Sequence, residues 1–239
     1  MLKYSLLLII AVIAFPDSPE DSTSYEILAP GSFHGSEASS RVNGEIWSGV
    51  FETGSGYELR LAEMIVEDAI DPYLDRGEER TARLIYAADA VIDPYYDWEY
   101  QTDRWSSDDA DRLMFFLRPA DSVFFKGPLY PVMVDSPDIP PDTTIELGDS
   151  GLSLVATNEG LYLFDGSTSQ RLSDVYPNSH GEAVSVVWVG DLDGDGKLDL
   201  VLDDQPHYAY WVFFRLFLSS EAEPGELVKE VAVFEAAGC

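Results

Sequence analysis

Residues 189–204 read VGDLDGDGKLDLVLDD. Four carboxylates, Asp191, Asp193, Asp195 and Asp199, fall within nine residues, and like charges that close repel unless something neutralises them. Counted from Asp191, the acids take positions 1, 3, 5 and 9, Gly196 takes position 6, and Lys197 at position 7 offers its backbone carbonyl. This is the oxygen-ligand spacing of a calcium loop. Alternate side chains of a tightly curled segment converge on one point, and glycine permits the positive φ that curls it. Hard anionic oxygens suit Ca²⁺, whereas Mg²⁺ keeps more of its waters and Zn²⁺ wants His or Cys, neither of which is adjacent. Position 12 is Leu202 and not the bidentate Glu of an EF-hand, and the flanks AVSVVWV (183–189) and LDLVLDD (198–204) read as strands. The expectation is one strand–loop–strand hairpin clipped by a structural Ca²⁺. Its ligands are Asp191, Asp193, Asp195, the Lys197 carbonyl and Asp199.

Strand texture extends outward from this hairpin. TTIEL (143–147), GLSLVAT (151–157) and GLYLFDG (160–166) are short apolar runs separated by Gly148-Asp149, Asn158-Glu159-Gly160 and Asp165-Gly166. YAYWVFFRLFLSS (208–220) is apolar on both alternating faces, which suits a central strand covered on both sides. GELVKEVAVFEA (225–236) reads as a last strand or a short helix. Upstream, EIWSGVF (45–51) and YELRLAEMIV (57–66) alternate apolar and polar residues around the turn ETGSG (52–56). TARLIYA, RLMFFLR and SVFFKG are further strand candidates, and RLAEMIVEDAIDPYLD (60–75) also fits helical spacing as a minority reading. The fold class expected is all-β or β-dominated, in compact antiparallel sheets. A Pro-rich stretch, DSPDIPPDT (135–143), separates a β-rich region over 44–134 from a second over 144–239 and marks a domain boundary or a long turn.

GDLDGDGKLDLVL also resembles the calcium motif of FG-GAP (VCBS-type) repeats, found in integrin-like propellers and many secreted bacterial proteins. In that family the equivalents of Asp191, Asp193, Asp195 and Asp199 and the Lys197 carbonyl hold Ca²⁺. The C-terminal FLSSEAEPGELVKEVAVFEAAGC is similar to the ends of exported bacterial proteins carrying one such motif, a likeness that implies no activity. The sequence holds no second D-x-D-x-D-G and lacks the FG and GAP signatures. A full propeller is therefore not expected, because its four-stranded blades need more chain than residues 44–239 supply.

The N-terminus, MLKYSLLLIIAVIAFPDSPEDS, places Lys3 before an apolar run from Tyr4 to Phe15, with a small-residue cleavage site ending at Ala14. That is the pattern of a secretory signal peptide over 1–14, and the run is shorter than the roughly 20 apolar residues of a membrane span. The retained-anchor reading stays open beside it. Residues 15–43, rich in Ser, Pro, Glu and Gly, read as a flexible tether. Cys239 is the single cysteine, so no internal disulfide is expected. Export to the periplasm or outside the cell is the expected location.

Forty-four acidic residues face fourteen basic ones, a formal net charge of −30. Such a surface repels nucleic acid and anionic lipid, which excludes a nucleic-acid partner. The hydrophobic fraction of 46% is ample for a folded core. Signals for catalysis are weak. Gly148-Asp149-Ser150-Gly151 is similar to the nucleophile loop of chymotrypsin-like proteases, but His34 falls in the tether, and a polar turn is the simpler reading. His180 and His207 flank the hairpin, with Asp203 and Asp204 near the second. They read as surface residues, with a second metal site or an acid–base pair as the sharper alternative. Tyr95, Tyr96, Trp98, Tyr100 and Trp105 lie in one acidic aromatic segment that packs as loop core or stacks on a glycan. The functional expectation is an exported, calcium-stabilised, non-catalytic interaction or accessory protein with a protein or glycan partner. A secreted hydrolase with unidentified acids, or a glycan-binding module, are the alternatives.

Overall fold

The computed structural model describes residues 25–34, 41–70, 75–77, 79–88, 90–92, 111–119, 124, 126–132, 139–174, 183–205 and 210–237. Among these residues there are sixteen strands and no helix. The N-terminal strands are β1 (Glu26–Leu28), β2 (Gly31–His34), β3 (Ile46–Thr53), β4 (Gly56–Ala69), β5 (Ala82–Ala87), β6 (Ala90–Ile92), β7 (Asp111–Arg118) and β8 (Gly127–Leu129). The C-terminal strands are β9 (Thr144–Glu146), β10 (Ser153–Thr157), β11 (Gly160–Phe164), β12 (Ser169–Ser173), β13 (Ala183–Gly190), β14 (Asp199–Gln205), β15 (Tyr210–Leu218) and β16 (Lys229–Ala237).

The first eight strands form one sheet in the order β1-β7-β3-β4-β5-β2, with β6 beside β7 and β8 beside β4. The remaining strands form two four-stranded sheets, β12-β11-β10-β9 and β13-β14-β15-β16. Every pairing is antiparallel except β6 with β7. The fold is all-β, and it is not a closed propeller.

Turn chemistry sets the hairpins. Thr53 opens the β3–β4 turn and Thr157 the β10–β11 turn, each two residues ahead of a strand-initiating glycine's neighbour. In both, the threonine hydroxyl accepts the N–H two residues on (3.2 and 3.1 Å) and donates to the carbonyl of the glycine three residues on, Gly56 or Gly160 (2.9 and 3.3 Å). Gly160 is at φ +130°, and a Cβ there would lie 2.1 Å from the Ser173 carbonyl oxygen, so only glycine lets β12 pass this close.

The β13–β16 sheet is the middle layer. Val201, Val212, Phe214, Leu216 and Leu218 face the eight-stranded sheet and pack in one core with Trp47, Phe115 and Phe116. Leu200, Leu202 and Phe217 face the other way and pack with Leu154, Leu161 and Leu163 of the outer four-stranded sheet. β15 is thus central and covered on both faces, as its doubly apolar pattern predicts.

The boundary between sheets falls near the Pro-rich stretch, of which residues 135–138 lie outside the described part. The larger core nevertheless draws on both sides of it. The tether expected over 15–43 is corrected over its described residues. Ile27, Leu28 and Phe33 on β1 and β2 are buried core residues, paired with β7 and β5. These strands are only three and four residues long, too short to show a period, and their partners are distant in sequence. Ion pairs hold the segment too: Glu26 bonds Arg41 at 2.6 Å and Arg118 at 3.4 Å, and both guanidinium groups lie over the Trp47 ring. The helical alternative for 60–75 gives way to β4, which runs through Ala69 because its N-terminal half pairs with β3 and its far end with β5. The last segment is a strand, β16. The signal peptide, the aromatic segment with Tyr95 to Trp105, His180, His207 and Cys239 lie outside the described residues.

Candidate metal site

The acidic loop connects β13 to β14, with Gly190 and Asp199 as the closing pair of the hairpin. Gly194 and Gly196 sit at φ +83° and +82°, the left-handed conformation that curls the loop. The curl turns backbone N–H groups inward. Asp191 accepts Gly194 N–H at 2.6 Å on one oxygen and Gly196 N–H at 2.9 Å on the other. Asp193 accepts Asp195 N–H at 3.1 Å, and Asp195 accepts Lys197 N–H at 2.8 Å. One carboxylate oxygen from each of Asp191, Asp193 and Asp195 lies within 4.8 Å of the others, so these three residues can hold a metal ion. The donors are hard oxygens with no sulfur or imidazole among them, which fits a hard divalent cation and not zinc.

Asp199 is not part of that trio. Its side chain is fully buried, with one oxygen accepting Leu192 N–H at 2.8 Å and the other Ser219 N–H at 2.9 Å and Ser219 Oγ at 3.1 Å. Its carboxyl pKa is pushed up to about 7, chiefly by burial and with help from the neighbouring Asp193 charge, against the opposing pull of the Ser219 and Leu192 N–H groups. Lys197 is exposed and contributes the N–H to Asp195 already described.

Residues from elsewhere in the chain complete this neighbourhood, and sequence reasoning missed them. The turn after β15 brings Ser219 Oγ to Asp195 at 3.2 Å and Ser220 Oγ to Asp193. Glu221 accepts the Tyr25 hydroxyl at 2.6 Å, which ties the residue before β1 to the same turn. Burial, then the Glu221 contact, then the charges of Asp193 and Asp199 raise the Tyr25 pKa. The signal was the polar Ser-Ser-Glu that ends an otherwise apolar run. Its meaning depends on the β14–β15 register, in which Leu200 faces Phe217 and so sets Asp199 beside Ser219.

The other candidates separate from this loop. Ser150 spends its hydroxyl in the turn between β9 and β10, donating to the Leu147 carbonyl at 2.6 Å and accepting Leu152 N–H at 3.1 Å. Asp203 accepts Phe213 N–H at 2.9 Å. Asp204 is buried, accepts Ser173 Oγ at 2.8 Å and pairs with Arg215 at 2.5 Å. His34 lies at the end of β2, remote in the topology from the β9–β10 turn. No family model, no curated protein and no solved structure matches this chain.

Proposed function

We propose that the β13–β14 loop binds one structural Ca²⁺ through Asp191, Asp193 and Asp195, with the Lys197 carbonyl and Asp199 as the further ligands that the spacing implies. The protein is then an exported, calcium-stabilised, non-catalytic interaction or accessory protein. The convergence of three carboxylates on a glycine-curled loop carries the reading. A metal-free loop would leave them repelling one another above a fourth, buried carboxyl. Calcium is favoured over Mg²⁺ because so many protein oxygens approach one point. Export rests on Lys3 and the apolar run to Phe15. In this role the ion does what a disulfide does in other exported proteins: it ties two strands of the middle sheet at their shared end.

Thermal unfolding in Ca²⁺ and in excess chelator tests it. A ligand at about 100 times its Kd stabilises by about 2.7 kcal/mol. For a chain of this size that is a rise in Tm of roughly 5–10 °C. Asp195→Ala should remove the calcium-dependent part of the shift. An identical Tm with and without chelator sinks the calcium reading, and equal stabilisation by Mg²⁺ sinks the choice of ion.

A further inference from the structure

A second feature lies away from the acidic loop, where the β3–β4 turn meets the end of β8. Thr53, Ser55, Gly56, Tyr57, Glu58 and the run Pro128–Pro131 enclose an open hollow of about 510 Å³, within the usual range for small-molecule sites. Tyr130 stands at its rim and is 84% exposed, the most exposed large hydrophobic side chain among the described residues. Exposed beside a concave, partly polar wall, the Tyr130 ring offers a flat face on which a ligand can stack.

The wall is rigid. Tyr57 packs edge-on against the buried Trp188, with ring centroids 5.6 Å apart. Val132 N–H bonds the Val189 carbonyl at 2.8 Å, which stitches the segment after Tyr130 to β13. A Cβ at Gly190 would come within 3.2 Å of both Pro131 and Trp188, so the backbone at Pro131 rests directly on the middle sheet. A preformed wall binds without first having to be ordered.

Charge selects the ligand class. The net charge of −30 and the Glu58 carboxylate repel an anion. Glu58 is already ion-paired with Arg60, which also holds Asp111 at 2.7 Å, so a cation would have to displace an existing partner. What remains is a neutral ligand with one apolar face and several hydroxyls. We propose that this hollow binds a neutral saccharide, with the Tyr130 ring as the stacking platform and Glu58 and Ser55 as hydrogen-bonding partners. The site shares no residue with the calcium loop, so the two readings stand or fall separately.

Native affinity electrophoresis in gels cast with neutral polysaccharides (β-glucan, xylan, galactomannan, glucomannan and starch), run with Ca²⁺ present, is the test. The full chain should be retarded in at least one gel. Tyr130→Ala should weaken that binding about tenfold, while Tyr130→Phe retains it. Because Tyr130 is exposed, its removal leaves the fold intact, which circular dichroism checks. No retardation in any gel overturns the proposal, as does equal retardation of Tyr130→Ala. Retardation that survives Tyr130→Ala and disappears in Trp98→Ala assigns sugar binding to the aromatic segment and also overturns it.

Discussion

At Asp199 a carboxyl group is fully buried, yet both of its oxygens accept hydrogen bonds from loop and turn N–H groups. The spacing of the motif marks this residue as a fourth ligand, and in the structure it also joins the loop to the turn after β15. Its titration has a definite sign. In the metal-free fold the carboxyl keeps its proton up to about pH 7, while the ordinary value is 3.8. The folded state therefore binds the extra proton, and its stability falls as pH rises from about 4 through about 7. In excess chelator, scanning calorimetry at a series of pH values should show this decline in Tm. Saturating Ca²⁺ should flatten it, because a cation beside the carboxylate offsets the cost of ionising it. In Asp199→Asn the component should be absent. A decline of the same size in that variant assigns it to other groups. Glu26 has the opposite sense: burial raises its pKa, the Arg41 and Arg118 contacts outweigh this, and its contribution is lost only as pH drops below its usual 4.5.

Among the elements, β14 and β15 carry the polar link between the middle sheet and the outer one. Arg215 on β15 joins buried Asp204 on β14 to Glu230 on β16, while Asp204 also takes the Ser173 hydroxyl from β12. Removing one partner of a buried pair strands the other charge. Arg215→Met should cost about 3–5 kcal/mol in urea unfolding, and the double variant Arg215→Met/Asp204→Leu should recover most of it. A single-variant cost below about 1 kcal/mol means that water reaches Asp204 and the link is not a buried one. The acidic pair 203–204 was visible in the sequence, but its partner was not, because antiparallel pairing and not sequence proximity sets Arg215 beside it. β1 and β2 were illegible for a related reason. A strand of three or four residues at a sheet edge owes its existence to its neighbour, and its own residues are too few to show a strand period.

Over the whole molecule, the larger core binds the two halves of the chain together. Trp188, Val212, Phe214, Leu216 and Phe234 bury against Phe33, Trp47, Phe115 and Phe116. Neither half can be separated without exposing a broad apolar face, at roughly 25 cal/mol for every Å² uncovered. A fragment of residues 139–239 should therefore aggregate or give a collapsed NMR spectrum, whereas the full chain unfolds in one transition. A well-dispersed spectrum from that fragment would show two independent domains. By itself the sequence determined what local chemistry can determine. Alternating apolar runs and glycine turns dictate an all-β chain, and carboxylates at every second position around Gly196 dictate an acidic loop between two strands that can hold a cation. Only the tertiary structure decided that β15 lies between two cores, that Ser219 and Ser220 reach the loop, that Asp199 is buried beneath it, and that Tyr130 stands over a hollow. Each of these depends on which strands lie side by side, and that is settled by burying apolar faces across long separations in the chain, which no short window of sequence records.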